Sequence, residues 1–360
     1  MMERLPPRRG SSRRSQRQNQ KPSVVFLSIW LGFSFSSLLS CAGSPPVAAG
    51  TAPDPVASAS SAKNQSQSAL PSPAPIGVVP VVEPPVSLLD PVSVSGLQVS
   101  LSAREVPDGG VVWVQIKSAG GGSELPSKAV FQGHTFYFFP AGEGQVAALV
   151  GVPYDLKVGE YPLTIHSGEG ASTKMVAVPI RVRAGAYVID QLQIAPRIAE
   201  PNKKDLVRIV KEQAETGKIY EKVVRTKMWD GQFHFPVQSV ITSRYGNKRV
   251  FNGKTQSFHR GLDLRAPTGT PITAPANGEV VLAKNLFFTG NTVILSHGYG
   301  VFTIYAHMSK LKVKKGMHVT STRVIGLSGA TGRAAGPHLH WGVILSHVTV
   351  DPIELIKVVR

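Results

Sequence analysis

Short runs of valine, isoleucine and aromatic residues recur from Ser93 towards the C-terminus, and they limit what this chain can fold into. Turn-forming residues separate the runs, as in Pro107-Asp-Gly-Gly and Ala119-Gly-Gly-Gly. Runs of this kind with turns between them are typical of the strands of sandwiches and barrels. Helical periodicity is weak outside one segment. The sequence therefore predicts a mainly β protein with a short helical connector.

Residues 93–185 are predicted to form a β-sandwich accessory domain, immunoglobulin-like at the level of architecture. Six apolar runs predict its strands, at 96–101, 110–116, 134–139, 145–150, 160–165 and 175–182. Nothing in this region suggests chemistry. His134 and His166 have no partner in the sequence and are expected to be structural or surface residues.

Residues 186–235 are predicted to form a partly helical connector. Asn202 is a favourable N-cap and Asp205 an early acid. They precede the apolar positions of an amphipathic helix, which are Leu206, Ile209, Val210 and Ala214. The helix is expected to end near Gly217, and the charged sequence up to Arg225 is compatible with a second helix.

Residues 1–40 are predicted to be an export signal, because an arginine-rich start leads into 17 mostly apolar residues that end at Ser40. Leu38-Leu-Ser-Cys41 resembles the bacterial lipobox, whose cysteine is acylated and holds the mature protein at a membrane. A plain cleaved signal and an uncleaved anchor are the alternatives. Residues 41–92 contain eleven prolines and no aromatic residue, which predicts a disordered tether.

The chain carries 39 Lys and Arg against 22 Asp and Glu, a formal net charge of +17. The excess is spread out, and residues 236–355 hold thirteen basic against four acidic residues. Such a surface is either simply solvated or helps to attract an anionic polymer. The sequence has no zinc-finger, helix-turn-helix or aromatic RNA-binding signature, so nucleic acid is not an expected partner.

Residues 236–360 are predicted to form a second, mostly β domain. Glycine and proline punctuate its apolar runs, and helical periodicity is weak. The runs predict strands at 250–251, 278–283, 291–297 and 301–307. Three histidines of this domain, His297, His318 and His347, are expected to be structural or surface residues.

Five other polar residues of this domain have the spacing of a metal site. His259-Arg-Gly-Leu-Asp263 is followed by His307 and then by His338-Leu-His340. Neutral imidazole and carboxylate are among the preferred ligands of zinc, and three of them leave one position open. His338 and His340 project to one side of a strand, which places one on a metal and the other beside the open position. The sequence leaves open whether His259 and Asp263 reach the same ion.

Further motifs surround these residues: Ser243-Arg-Tyr-Gly246, Ala274-Pro-Ala-Asn-Gly278, Tyr305-Ala-His307-Met, Lys315-Gly316, Gly326-Leu-Ser-Gly329, Thr331-Gly332 and Gly336-Pro-His338-Leu-His340-Trp341. With these motifs, residues 241–352 resemble the lysostaphin and LytM-type zinc endopeptidases of bacterial cell walls, peptidase family M23. Three departures are small: Trp341 and Gly342 replace another aromatic residue and an acid, and Ala335 replaces a frequent threonine. None of them removes a ligand.

The resemblance implies that His259, Asp263 and His340 hold Zn²⁺, while His307 and His338 flank the bound water. Zinc lowers the pKa of such a water from 15.7 to about 7. Of the two free histidines, one would take the proton and the other would donate to the oxyanion. The sequence leaves open which does which.

The resemblance also implies the substrate, and the lipobox-like segment and the tether indicate the place of action. The expected substrate is the stem-peptide cross-link of peptidoglycan, with the bond between D-alanine and diaminopimelate as the target in a Gram-negative envelope. The expected location is the periplasmic side of a membrane, through lipidated Cys41. One rival function is a non-enzymatic LytM-type activator of a cell-wall amidase, although such relatives typically lack zinc ligands. A second rival is a carrier module, because residues 274–278 also resemble a lipoyl-domain turn, but that reading has no use for the histidines.

Overall fold

Twenty-four strands and two helices form the part of the chain that the computed structural model describes. That part comprises residues 87–119, 124–167, 174–194 and 200–359. The predicted export signal, Cys41 and most of the predicted tether lie outside the described residues. None of the helices described is long and apolar enough to cross a membrane. The prediction of a mainly β protein is confirmed.

Ten strands form the N-terminal β region: β1 (Val92–Val94), β2 (Leu97–Leu101), β3 (Glu105–Pro107), β4 (Val111–Ser118), β5 (Lys128–Phe131), β6 (His134–Tyr137), β7 (Phe139–Pro140), β8 (Gln145–Gly151), β9 (Gly159–Ser167) and β10 (Lys174–Arg183). They make two five-stranded sheets, with the orders β1-β2-β4-β8-β7 and β3-β10-β9-β5-β6. Buried side chains of both sheets belong to one core, as a sandwich requires. The immunoglobulin-like character stays a prediction.

Alternation in β10 shows how the sequence builds this core. Every second side chain is buried, namely Val176, Val178, Ile180 and Val182, and the residues between them are exposed. Each of the six predicted runs contains a strand. Strands β1, β3 and β5 are not predicted from the sequence, because runs of three or four residues carry too little periodicity to be recognised.

The connector consists of β11 (Ile189–Leu192) and helix α1 (Lys203–Glu221). β11 pairs in parallel with β13 (Lys248–Phe251), which in turn pairs with β14 (Lys254–Phe258), so the connector is part of a small sheet in the following region. The predicted N-cap is confirmed, because the Asn202 side chain accepts a hydrogen bond from the Asp205 backbone N–H at 2.9 Å.

The predicted end of α1 is wrong, and of its predicted apolar face only Ile209 is buried. The helix continues through Gly217 to Glu221, and residues 222–225 form no second helix. Leu206 and Val210, expected on the apolar face, are 45% and 63% exposed. Tertiary packing sets a different buried stripe, which is formed by Asp205, Ile209, Thr216 and Tyr220. The Tyr220 ring packs edge-on against Phe302 at 5.3 Å between centroids.

Eleven further strands form the C-terminal β region: β12 (Ile241–Ser243), β15 (Leu262–Arg265), β16 (Pro271–Thr273), β17 (Gly278–Leu286), β18 (Gly290–Gly298), β19 (Val301–Met308), β20 (Lys310–Leu311), β21 (His318–Val319), β22 (Val324–Leu327), β23 (His338–Leu345) and β24 (Val348–Val350). The main sheet has the order β12-β15-β23-β19-β18-β17-β21, with β24 paired to β23, and a small sheet has the order β16-β22-β20. The four predicted runs lie in β13, β17, β18 and β19.

Helix α2 (Pro352–Val358) follows β24 and is not predicted from the sequence. The Asp351 side chain caps it by accepting a hydrogen bond from the Ile353 backbone N–H at 2.9 Å. Seven residues are too few for a recognisable apolar period, so the capping acid and the proline at its start are the only local signals.

The two β regions pack against each other. A Cβ added to Gly151 in β8 would lie 2.9 Å from Val350 Cγ1 in β24. The Tyr154 ring stacks on Phe258 at 3.7 Å between centroids, and its hydroxyl donates to the Gly246 carbonyl at 3.1 Å. One hydrophobic core includes buried residues from both regions. The predicted domain boundaries therefore stay a prediction.

Candidate metal centre

Two neighbouring strands bring the predicted metal-binding motifs together. β15 and β23 are antiparallel, and Asp263 lies directly opposite His340. Opposed residues of an antiparallel pair have Cβ atoms about 5 Å apart, so these two side chains meet across the sheet. His338 begins β23 two residues earlier and projects to the same side, as the sequence predicts.

His259 reaches the same place from the turn before β15, and Gly261 makes this approach possible. A Cβ at Gly261 would lie 2.5 Å from the Trp341 carbonyl oxygen and 2.9 Å from His340 Nε2. Both distances are shorter than any real contact of a Cβ atom. A glycine at this position therefore lets the turn lie directly against β23.

Three side-chain atoms of these elements form a nearly equilateral triangle. His259 Nε2 lies 2.9 Å from Asp263 Oδ1 and 3.0 Å from His340 Nδ1, and the third side, from His340 Nδ1 to Asp263 Oδ1, is 2.9 Å. Zinc bonds of about 2.0–2.1 Å in tetrahedral geometry place neighbouring ligand atoms about 3.3–3.4 Å apart. The triangle is thus close to one face of a zinc tetrahedron.

Hydrogen bonds on the far side of the rings decide which nitrogen is available. His259 Nδ1 lies 2.8 Å from the Arg244 carbonyl oxygen, which can only accept, so Nδ1 carries the hydrogen. The lone pair on His259 Nε2 then points at two further polar atoms, Asp263 Oδ1 and His340 Nδ1. At most one hydrogen, on His340, lies among the three atoms. The lone pairs of the three atoms repel one another, and a cation at the centre of the triangle removes this repulsion. These residues therefore fit a metal ion.

Burial keeps the imidazoles in the form that binds metal. Burial and the nearby charge of Arg249 lower the pKa of His259 to about 3, and burial also lowers the pKa of His340. Burial alone would raise the pKa of the Asp263 carboxyl, but its contacts with His259 and Arg249 hold that pKa well below its usual value. At neutral pH the site offers two neutral imidazoles and one carboxylate. This donor set is that of zinc, as predicted.

His307 and His338 lie side by side next to this triangle. Their ring centroids are 4.8 Å apart, and the His307 ring lies 6.0 Å from that of His340. His338 Nε2 is 3.7 Å from Asp263 Oδ1. All five residues that the sequence singles out, including His259, therefore converge on one place.

The backbone of His307 is held in an unusual conformation. Its φ of 62° lies in the left-handed region, which residues other than glycine rarely adopt. Two bonds fix it there: its N–H donates to the Thr289 carbonyl at 2.8 Å, and Nδ1 donates to the Thr331 carbonyl at 2.7 Å. His338 Nδ1 likewise donates to the Gly336 carbonyl at 2.8 Å. Both free histidines therefore keep Nε2 for the site.

Three residues that form hydrogen bonds around the metal ligands, Asp190, Ser243 and Arg249, are not predicted from the sequence as part of the site. Ser243 Oγ lies 3.0 Å from His259 Nδ1 and donates to Asp190 Oδ2 at 2.5 Å. Arg249 Nη2 donates to Asp263 Oδ2 at 2.5 Å. Ser243 belongs to the motif Ser243-Arg-Tyr-Gly246, and this motif is the sequence feature that could have identified it. Asp190 lies 53 residues before Ser243, in the connector, where no local pattern identifies it.

The remaining histidines of the C-terminal region do not join the metal centre. His297 is buried, with Nδ1 2.7 Å from the Asn277 carbonyl oxygen and Nε2 2.8 Å from Thr303 Oγ1. Burial lowers its pKa to about 4. His318 is exposed on the edge strand β21. These environments agree with the structural and surface roles expected for them.

Comparison with known proteins places this centre in a family. Residues 257–352 match peptidase family M23. A crystal structure named as an M23 peptidase from Pseudomonas aeruginosa is 32% identical, with a TM-score of 0.53, and the match covers 69% of this chain and 95% of that one. The chain belongs to peptidase family M23. The match covers more residues of this chain than the segment 236–360 contains. It therefore extends into the N-terminal β region.

Two curated relatives match about a third of this chain. A peptidoglycan DD-endopeptidase of Vibrio cholerae, ShyA, is 41% identical over 123 residues, and a DD-carboxypeptidase/endopeptidase of Neisseria meningitidis, Mpg, is 36% identical over 119 residues. Each match covers 33% of this chain but only 29% and 27% of the relative's length. The chain thus spans less than a third of the length of these two relatives. The M23 membership confirms the predicted family and its metallopeptidase class.

Proposed function

We propose that this chain is a zinc-dependent endopeptidase that hydrolyses the peptide cross-links of bacterial peptidoglycan. The observation that carries the proposal is the metal triangle of His259, Asp263 and His340 with the rings of His307 and His338 beside it. The names of the two curated relatives support the substrate class. A carrier module or a non-enzymatic activator would have no use for this arrangement.

The ligands prepare the site for one kind of chemistry. Zinc, when bound, acts as a Lewis acid and lowers the pKa of a water from 15.7 to about 7. Arg249 keeps Asp263 ionised through its contact with Oδ2, which leaves Oδ1 for the metal. The bond from His259 Nδ1 to the Arg244 carbonyl fixes the ring so that Nε2 faces the same point. Asp263 and His259 are therefore oriented before a metal ion binds.

His307 and His338 supply the proton transfers. In each neutral ring Nδ1–H is engaged with a carbonyl, so Nε2 is the atom that exchanges a proton. The ring that takes the proton of the attacking water would use the lone pair of Nε2, whereas the ring that donates to the developing oxyanion would carry a second hydrogen, on Nε2, and act as an imidazolium. Each such role is worth roughly 10²–10⁴-fold in rate.

The proposed place of action is the cell envelope. The predicted signal and Cys41 would export the chain and anchor it by lipid on the periplasmic side of a membrane. The excess of thirteen basic over four acidic residues in 236–355 would attract an anionic wall polymer. Both features support a substrate outside the cytoplasm.

Digestion of cross-linked peptidoglycan tests the proposal. The full-length chain, purified in detergent with zinc, is expected to release stem-peptide monomers from dimers, identified by mass spectrometry. His340→Ala should lose both bound zinc and turnover, because two of the three ligands cannot hold the ion alone. A wild-type chain that holds one zinc and leaves every cross-link intact would contradict the proposal and favour the amidase activator.

A further inference from the structure

The guanidinium of Arg333 packs on two phenyl rings, and its loop contacts a histidine of the metal centre. It lies 4.6 Å from the centroid of Phe251, in β13, and 4.6 Å from that of Phe288, which follows β17. Among the residues that the structure describes, no carboxylate or carbonyl reaches this guanidinium within hydrogen-bond distance. Rings packed on a guanidinium leave its N–H edge open, and this edge is the part that recognises carboxylates bidentately.

The loop that carries Arg333 also fixes a residue of the site. Thr331, two residues earlier, accepts the hydrogen bond from His307 Nδ1 at 2.7 Å. The Arg333 backbone N–H donates to the Phe288 carbonyl at 2.6 Å, which ties the loop to the ring beneath the guanidinium. On the other side, Phe251 lies two residues along β13 from Arg249, the partner of Asp263. Arg333 is therefore positioned from both sides by elements of the metal centre.

Positive charge is concentrated here. Burial and the charges of Arg249 and Arg260 lower the pKa of Arg333 to about 10, so the guanidinium stays protonated at neutral pH. The charge of Arg249 is matched by Asp263. Partly burying a further cation without an acidic neighbour is costly unless a ligand supplies the anion. The location predicts that this ligand is part of the substrate.

We propose that Arg333 binds a free carboxylate of the substrate next to the scissile bond. This inference rests on the proposed function and names a specificity residue for it. In a cross-link between D-alanine and diaminopimelate, the carbon that carries the cross-linking nitrogen also carries a carboxylate. That group lies beside the bond to be cut, and its amidation removes the charge while preserving the shape. Arg333 thus makes the enzyme select carboxylate over carboxamide cross-links.

Two matched substrates and three variants test this selection. The substrates are muropeptide dimers in which the diaminopimelate carboxylate is either free or amidated. Wild type is expected to cut the free carboxylate with a kcat/KM about 10- to 100-fold higher, mostly through KM, since hydrogen bonds to charged groups are worth this much. Arg333→Gln should lose the preference, because its kcat/KM should fall much more for the free carboxylate dimer than for the amidated dimer. Arg333→Lys keeps the positive charge but lacks the two parallel N–H donors of the guanidinium, so it should retain only a small preference for the free carboxylate.

The controls separate failure of this inference from failure of the proposed function. Arg323→Gln removes the same charge from an exposed position of the same region and should leave the preference intact. If wild type cuts neither dimer, the proposed function fails. If wild type cuts both equally well, or if Arg333→Gln and Arg333→Lys slow both dimers alike, the carboxylate role is overturned and the stacked guanidinium is only structural. Thermal unfolding of each variant shows whether it has folded.

Discussion

At the scale of single residues, Asp190 and Ser243 act on the metal centre without belonging to the ligand triangle. Ser243 bridges His259 Nδ1 and Asp190 Oδ2, while Asp190 Oδ1 accepts from Asn247 Nδ2 at 3.0 Å. Such outer partners fix the orientation of a ligating imidazole and raise its basicity. The hydrogen-bond chain therefore links the connector to the affinity for zinc.

Asp190→Ala should weaken zinc binding by about 10- to 100-fold, which is the usual effect of losing an outer partner of a metal ligand. Competition with a chromogenic chelator measures the affinity without any assay of activity. Asp230→Ala, at an exposed position of the same connector, is the matched control and should bind zinc as wild type does. Unchanged affinity in Asp190→Ala would show that Ser243 and the Arg244 carbonyl orient His259 unaided.

At the scale of elements, the turn between His259 and β15 is shaped by one close approach. Gly261 lies against the backbone of β23 at Trp341 and against the His340 ring, so the turn and the strand have no space for a methyl group between them. The metal triangle depends on this distance, because it joins residues of both elements. A small displacement there changes all three donor distances together.

Gly261→Ala should therefore abolish tight zinc binding and destabilise the fold by roughly 1–3 kcal/mol, the usual cost of overpacking. Gly336→Ala is the control, because a Cβ at that position meets nothing within 4 Å. Zinc titration and denaturant unfolding measure the two effects. A Gly261→Ala variant with wild-type zinc affinity would contradict the argument from close packing.

Asp351, which caps the start of helix α2, makes the stability of the fold depend on pH. Burial raises the pKa of the Asp351 carboxyl to about 6, above the value of about 3.9 for an exposed aspartate. The folded chain thus binds more protons than the unfolded chain between these values. The contribution of Asp351 to the free energy of unfolding is therefore largest below about pH 4 and is lost as the pH rises towards and through 6.

Asp351→Asn should remove that loss, because its side-chain oxygen can still cap the Ile353 N–H but has no proton to release. The variant is expected to match wild type near pH 4 and to exceed it at pH 7 by up to about 3 kcal/mol. Urea unfolding at several pH values gives the difference. Parallel stability curves for the two proteins would show that Asp351 titrates as an exposed group.

At the scale of the whole molecule, the two β regions share packing that neither could keep alone. Trp229 of the connector packs edge-on against Phe139 of the N-terminal region at 5.1 Å and lies 6.1 Å from Phe233. These rings and Val350 belong to one core that includes buried residues of both regions. Gly151 of the N-terminal region lies directly against Val350. Separation would expose that surface to water.

Heating should therefore unfold the two β regions in a single transition rather than in two. Shared apolar surface couples the regions, so neither can melt while the other stays folded. Scanning calorimetry of the full-length chain measures this through the ratio of calorimetric to van't Hoff enthalpy, which should be near one. Two separated transitions would show that the interface contributes little.

What the sequence could predict depends on how local each signal is. Strong alternation, as in β10, and the side-chain cap at Asn202 act over a few residues, and both are confirmed. The five proposed site residues lie in compact motifs, and the structure brings them to one place. The buried face of α1 and the role of Asp190 depend on contacts with distant strands, and no pattern within a few residues encodes them.

The parallel pairing of β11 with β13 decides where this protein can be cut and recombined. A catalytic module that begins at residue 236 would leave behind Asp190 and the strand that covers β13. A chimera that preserves the zinc ligands must therefore take residues 189–192 with it. Because the N-terminal β region shares its core with the catalytic region, a transplant onto another scaffold must also replace the packing that Phe139 gives to Trp229 and that Gly151 gives to Val350.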